Sequence, residues 1–178
     1  MMVLLVSGSP RPENRTLMAV QAIARLLEAA GLTTETIDLA SVELPTFRGA
    51  PVAPIALQWR ERLRACDALI LASPEFHGSL SSAMKTFLDH TTEDEFRDRP
   101  VGFVGVASSV HGGANPIRHM QDAVLSMLAV IVAPALQVAD ARNAFDAGGG
   151  FHDAALRERA ELLVQRLAAS ASQNYPNE

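Results

Sequence analysis

Residues 7–16 read SGSPRPENRT and follow the apolar run MVLLV, so a loop of hydroxyls, arginines and prolines caps a segment of buried character. Ser7, Ser9, Asn14 and Thr16 offer short neutral polar side chains, and Arg11 offers a guanidinium fork. The helical pattern that follows points its first-turn N–H groups back at them. A phosphomonoester dianion suits that donor set. The loop is not a GxxxxGKS/T phosphate loop, because it has no lysine, nor a GxGxxG dinucleotide fingerprint, because Gly8 stands alone. The same residues also make an ordinary polar strand–helix turn, with Asn14 as N-cap and Pro10 and Pro12 as stiffeners. Both readings stay open on the loop alone.

Two further loops carry unusual side chains. In SPEFHGSLSSAMK, Gly78 lets backbone approach a flat ligand, Phe76 or His77 can pack against a ring edge, and Ser79 is placed to cap the next helix. The plain alternative is a proline turn with Glu75 as a surface charge, but adjacent Phe and His on an exposed turn want something to cover. In ASSVHGGANPIR, Ser108, Ser109, His111, Gly112 and Gly113 make a flexible collar whose backbone N–H groups can meet a carbonyl or ring nitrogen. The alternative there is a long loop closing on a helix near Asn115-Pro116.

The elements that must hold these loops alternate along the chain. Apolar or β-branched runs predict strands at Val3–Val6, Thr34–Leu39, Ala68–Ala72, Val101–Ala107 and Val130–Val138. The first, third and fourth are nearly continuous apolar runs, as for parallel strands covered on both faces. TTETIDL alternates and reads as an edge strand. Helical periodicity covers 16–30, ending at Gly31, then 53–65, 80–91, 115–129 and 153–170. Such alternation implies right-handed βαβ crossovers in an α/β three-layer sandwich, with the doubly wound five-stranded parallel order 2-1-3-4-5. In that order the loops after the first and third strands are neighbours at the crevice where the chain reverses direction.

Bulk properties narrow the function. The 178 residues predict one domain spanning 1–178. The hydrophobic fraction of 48% and charged fraction of 20% fit a soluble globular protein, and the net charge of −5 argues against a general nucleic-acid or anionic-membrane footprint. No segment reads as a signal peptide or membrane span, which makes the cytoplasm the expected location. Cys66, alone, excludes a disulfide framework and a cysteine cluster and reads as a small buried apolar residue. His111 and His119 lack a metal-ligand spacing, Lys85 and Asp89 form a helical i,i+4 pair, and the RERAE run of the last helix reads as a solvated face.

GSPRPENRT resembles the GSxRxxSxT loop of the NADPH-dependent FMN reductase family, a branch of the flavodoxin-like fold. SPEFHGSLSSAMKTFLD is similar to that family's SPEYNGSxxxxLKNxLD segment, and SSVHGGANPIR to its GG…LR stretch. The likeness runs from residue 2 to about 138. It implies FMN as cofactor, with NADPH or NADH as co-substrate and a quinone, azo, nitro, metal or flavin acceptor. Ser9, Arg11, Asn14 and Thr16 would hold the phosphate. Pro74, Glu75, Phe76, His77 and Gly78 would line the isoalloxazine, and Ser109, Gly112 and Gly113 its pyrimidine side. It further implies homodimers or homotetramers in which the helices after the third and fourth strands pair. No side chain is then expected to be catalytic, because FMN carries the chemistry. The N–H groups of Gly112 and Gly113 are the expected donors toward the reduced ring. The chain departs from the pattern with Asn14 for Ser, Phe76 for Tyr, His77 for Asn and Thr86 for Asn. A flavodoxin-like electron carrier without nicotinamide turnover is the rival reading, and a chain of this fold that binds no flavin is a third.

Overall fold

The opening apolar run becomes strand β1 (Met2–Ser7), buried along its length from Val3 onward. The structure is a computed structural model that describes residues 1–174. After β1 come α1 (Arg15–Ala29), β2 (Thr33–Asp38), α2 (Pro54–Ala65), β3 (Ala68–Pro74), α3 (Ser82–Asp89) and α4 (Glu93–Phe96). The chain continues through β4 (Pro100–Val106), α5 (Ala114–Leu125), β5 (Val130–Ile131), β6 (Leu136–Val138) and α6 (Ala154–Asn174). The sheet runs β2-β1-β3-β4-β5 with every pairing parallel, which is the order expected from the element pattern.

Alternation of side chains across the sheet divides the core. Val3 and Leu5 pack with Ala19, Val20 and Ile23 of α1 and with Leu163 and Leu167 of α6. Leu4 and Val6 pack on the other face with Trp59 and Leu63 of α2, Phe87 of α3 and Met120 and Val124 of α5. The fully buried strands β3 and β4 therefore read as unbroken apolar runs, while β2, paired on one side only, is mostly part-exposed.

The structure differs from expectation at the last strand. Val130–Val138 is not one strand but two short ones on the same side of β4. Val101 pairs with Ile131 and Val104 with Leu136, so three steps of β4 face five on its neighbour. Pro134, which has no N–H to give the ladder, lies in the gap. The run is apolar because it is covered, not because it pairs throughout. Helix α4 was also unexpected. It is nucleated by a capping box between Thr92 and Glu95, and the buried Glu95 carboxylate bonds Arg60 at 3.1 Å and Arg64 at 2.6 Å.

All carboxyl ends point to one edge. Just past the strands, Gly8 N–H donates to Ala72 O at 2.7 Å, Glu75 N–H to Val106 O at 2.7 Å and Ala107 N–H to Val138 O at 2.9 Å. The loops after β1, β3, β4 and β6 thus leave the sheet side by side. The start of α5 lies directly on β4, where a Cβ at Gly105 would collide with the carbonyl oxygen of Gly113.

Candidate functional site

Above these carboxyl ends opens a cleft of about 370 Å³. The first loop supplies Ser9, Arg11, Asn14 and Thr16, the second Pro74, Glu75 and Phe76, and the third Ser108. The two loops expected to be neighbours do meet, and Arg11 bridges them with its guanidinium 5.2 Å from the Phe76 ring centre. His77, Gly78, Ser109, Gly112 and Gly113 do not line the cleft itself; His77, Gly78 and Ser109 are exposed, and the two collar glycines are buried behind it.

In the first loop the hydroxyls and Asn14 divide their work. Asn14 is the N-cap of α1: its Oδ1 accepts from Leu17 N–H at 2.8 Å and its Nδ2 donates to Arg11 O at 2.6 Å. The capping reading holds for Asn14, which lines the cleft at the same time. Ser9 and Thr16 are 2% and 1% exposed, and Ser9 Oγ accepts only a long 3.3 Å bond from Arg11 N–H. Ser7, at the carboxyl end of β1, keeps a buried Oγ with no hydrogen-bond partner.

The second loop is a hairpin turn. Phe76 N–H donates to Ser79 O at 2.9 Å and Ser79 N–H to Phe76 O at 3.1 Å, with φ of 51° at His77 and 75° at Gly78. Positive φ at both central positions is the type I′ geometry, for which Asn-Gly is the favoured pair. His tolerates that region better than most residues, so His77 fits a central turn position with its side chain exposed. Ser79 is not the helix cap. Ser81 takes that role, its Oγ accepting from Met84 N–H at 3.0 Å and donating to Gly8 O. Ser79 Oγ instead hydrogen-bonds Nδ1 of His119 on α5 at 2.9 Å.

Glu75 lines the cleft and is not a loose surface charge. Its Oε2 accepts from Gly113 N–H and its Oε1 from Asn115 Nδ2 at 3.0 Å. Gly112 N–H donates to Ser109 O at 3.4 Å. Both collar N–H groups are therefore already used inside the protein, contrary to the expectation that they serve as donors to a ring.

Sequence reasoning missed Glu13, Arg15, Val106, Ala107, Ala141 and Arg142, which also line the cleft. Ala141 and Arg142 follow β6, where Asp140 N–H donates to Ser109 O at 3.0 Å and Ala141 N–H to Ala107 O at 2.9 Å. The signal existed: in a parallel sheet the loop after the last strand emerges at the same edge as the others. Cys66 lies away from the cleft, with burial pushing its thiol up to about 11, partly offset by Arg99. Its Sγ donates to Leu63 O at 3.2 Å. Among the described residues, no group of three or more His, Cys, Asp or Glu is placed to hold a metal ion.

A sequence profile of the NADPH-dependent FMN reductase family matches residues 1–144. An NADPH azoreductase of Bacillus sp. (strain OY1-2) is 28% identical over 174 residues, covering 93% of this chain and 95% of that protein. An FMN-dependent NADPH-azoreductase of Staphylococcus aureus is 26% identical over 184 aligned positions, covering 98% and 97%. Among solved structures, a flavoenzyme NAD(P)H:(acceptor) oxidoreductase from Paracoccus denitrificans shares the fold at TM-score 0.80 and 19% identity, over 95% of this chain and 98% of that one. A flavodoxin from the Archaea does so at TM-score 0.66 and 15% identity, over 96% and 99%.

Proposed function

The chain belongs to the NADPH-dependent FMN reductase family, FMN-dependent oxidoreductases fed by a reduced nicotinamide nucleotide, and we propose that it holds FMN in the 370 Å³ cleft and reduces a flat conjugated acceptor of the azo or quinone class. The observation that carries this reading is the meeting of the first and second loops in one cleft, with Arg11 spanning them.

The residues present suit the cofactor. Ser7 Oγ is buried without a partner next to the loop that supplies Ser9 and Thr16. Ser9 and Thr16 of that loop line the cleft, where phosphate oxygens can accept from their hydroxyls. Ser9, Thr16, Arg11 and the first-turn N–H groups of α1 would hold the phosphate, and Arg142 would face it from the loop after β6. Pro74 and Phe76 would bear one edge of the isoalloxazine. When bound, FMN supplies two-electron chemistry between the nicotinamide nucleotide and the second substrate. The protein's part is to grip the phosphate, fix the ring-side turn and leave a face open for each substrate in succession.

Phe76 is the one aromatic residue lining the cleft, whereas a carrier that shields its flavin between two aromatic rings needs a second. That supports turnover over simple electron carriage. Adding FMN and then NADPH without oxygen separates the readings: bleaching of the flavin band supports the reductase. Bound but unreduced flavin would leave only the carrier, and no binding would remove both.

The proposal extends to assembly and place. Pairing of copies through α3 and α5 would cover Leu125 and Val110, which are 51% and 65% exposed. Light scattering at micromolar concentration tests it, with a monomer counting against. Dependence on a nicotinamide nucleotide fits work in the cytoplasm, and among the described residues no helix is long and apolar enough to cross a membrane.

A further inference from the structure

We propose that Glu75 is a positioning residue that locks the two ring-side loops of the cleft into one unit, with Asn115 as its matched partner. The inference rests on the flavin reading above, because it concerns how those loops are held for the ring.

Glu75 stands where β3 ends, and its own N–H is fixed to Val106 O of β4 at 2.7 Å. From that fixed backbone its carboxylate reaches across to the start of α5 and accepts from Gly113 N–H and Asn115 Nδ2. Gln137 on β6 holds the same collar from the far side, donating from Nε2 to Gly112 O at 2.8 Å. The collar has no slack between them, since a Cβ at Gly112 would collide with Ala107 Cβ and Ser109 Oγ. The hydrogen bond between Ser79 Oγ and His119 Nδ1 ties the far end of the turn to the next winding of α5. The turn at 76–79 and the Gly112–Gly113 collar are thereby fastened to one helix at two points.

Each carboxylate oxygen accepts one bond that ties the collar to the end of β3, and through these bonds Glu75 sets the placement of the loops that face a flavin. The chemistry of the clamp is specific. A carboxylate accepts at both oxygens, while an amide accepts at one end and donates at the other. Glu75→Gln therefore sets an N–H₂ group against the Gly113 N–H, or against Asn115 unless that amide turns over and gives up the contact of its Oδ1 with Arg118 Nη2. Asn115→Asp alone sets two carboxylates together. Joining the two substitutions lets the new amide donate to the new carboxylate and accept from Gly113, which restores the pairing.

The test is a double-mutant cycle on flavin affinity, read by flavin fluorescence quenching with both FMN and riboflavin and paired with thermal melting. Glu75→Gln and Asn115→Asp should each weaken both flavins about tenfold and to the same extent, since the loss is on the ring side. The double variant should return to within about threefold of the wild type. Unchanged binding in Glu75→Gln, or a double variant no better than the weaker single one, overturns the proposal. If Glu75→Gln fails to fold, Asn115→Ala removes one donor and carries the same comparison. A wild-type chain that binds neither flavin defeats the cleft reading instead. The clamp is then judged by amide exchange at Gly113, which must quicken in Glu75→Gln and slow again in the double variant.

Discussion

The two ends of the cleft are built in opposite ways. At the first loop, polar groups are left with little to do: Ser7 Oγ has no partner, Ser9 Oγ accepts one long bond, and Arg11 rests on an aromatic face. At the ring-side loops the backbone of the turn at Phe76–Ser79, the carboxylate of Glu75 and the amide of Gln137 are bonded inside the protein, while the side chains of His77, Ser108, Ser109 and His111 stay exposed. One end recognises by spare donors, the other by a fixed shape. A charged ligand group is worth spare donors, because bonds to it are strong. A flat uncharged ring gains more from a surface that does not move.

This contrast can be broken by experiments that tell the ends apart. The largest effect is expected at Arg11: Arg11→Ala should weaken FMN about 10- to 100-fold, the loss of one to two charge-assisted bonds, and leave riboflavin unchanged. Titration calorimetry with both flavins reads it, and equal losses would dissolve the division between ends. Arg142→Ala should act in the same sense but more weakly, about three- to tenfold on FMN alone, because its side chain is exposed and screened. A loss on riboflavin instead would move Arg142 to the ring side. The smallest effect sharpens the other end. His77→Asn supplies the residue a type I′ turn prefers and should raise the melting temperature by about 1–3 °C with flavin affinity nearly constant. A marked change in affinity would mean that the imidazole touches the ligand.

How much of this could be read from residues alone follows the same physics. The strand order and the meeting of the two loops were legible because parallel strands must be covered on both faces and must all end at one edge. The turn and capping chemistry was half legible: Asn14 in the capping role follows from its type, whereas the choice of Ser81 over Ser79 depends on where the hairpin at His77-Gly78 releases the chain. Glu75 could not be read, because its partners Gly113 and Asn115 are remote in sequence and are brought close only by the packing of α5 on Gly105. The jog between β5 and β6 was hidden by an apolar run that reports burial and says nothing of pairing.

That jog has a consequence beyond the cleft. An exposed sheet margin invites another chain to add a strand, and a long flat margin is an aggregation hazard. Here the margin beyond β4 consists of a two-residue and a three-residue strand set out of step. The opposite margin, β2, carries Glu35, paired with Arg62 at 2.6 Å. One margin is short and broken and the other carries a charge, two features that disfavour the addition of a further strand to the folded sheet.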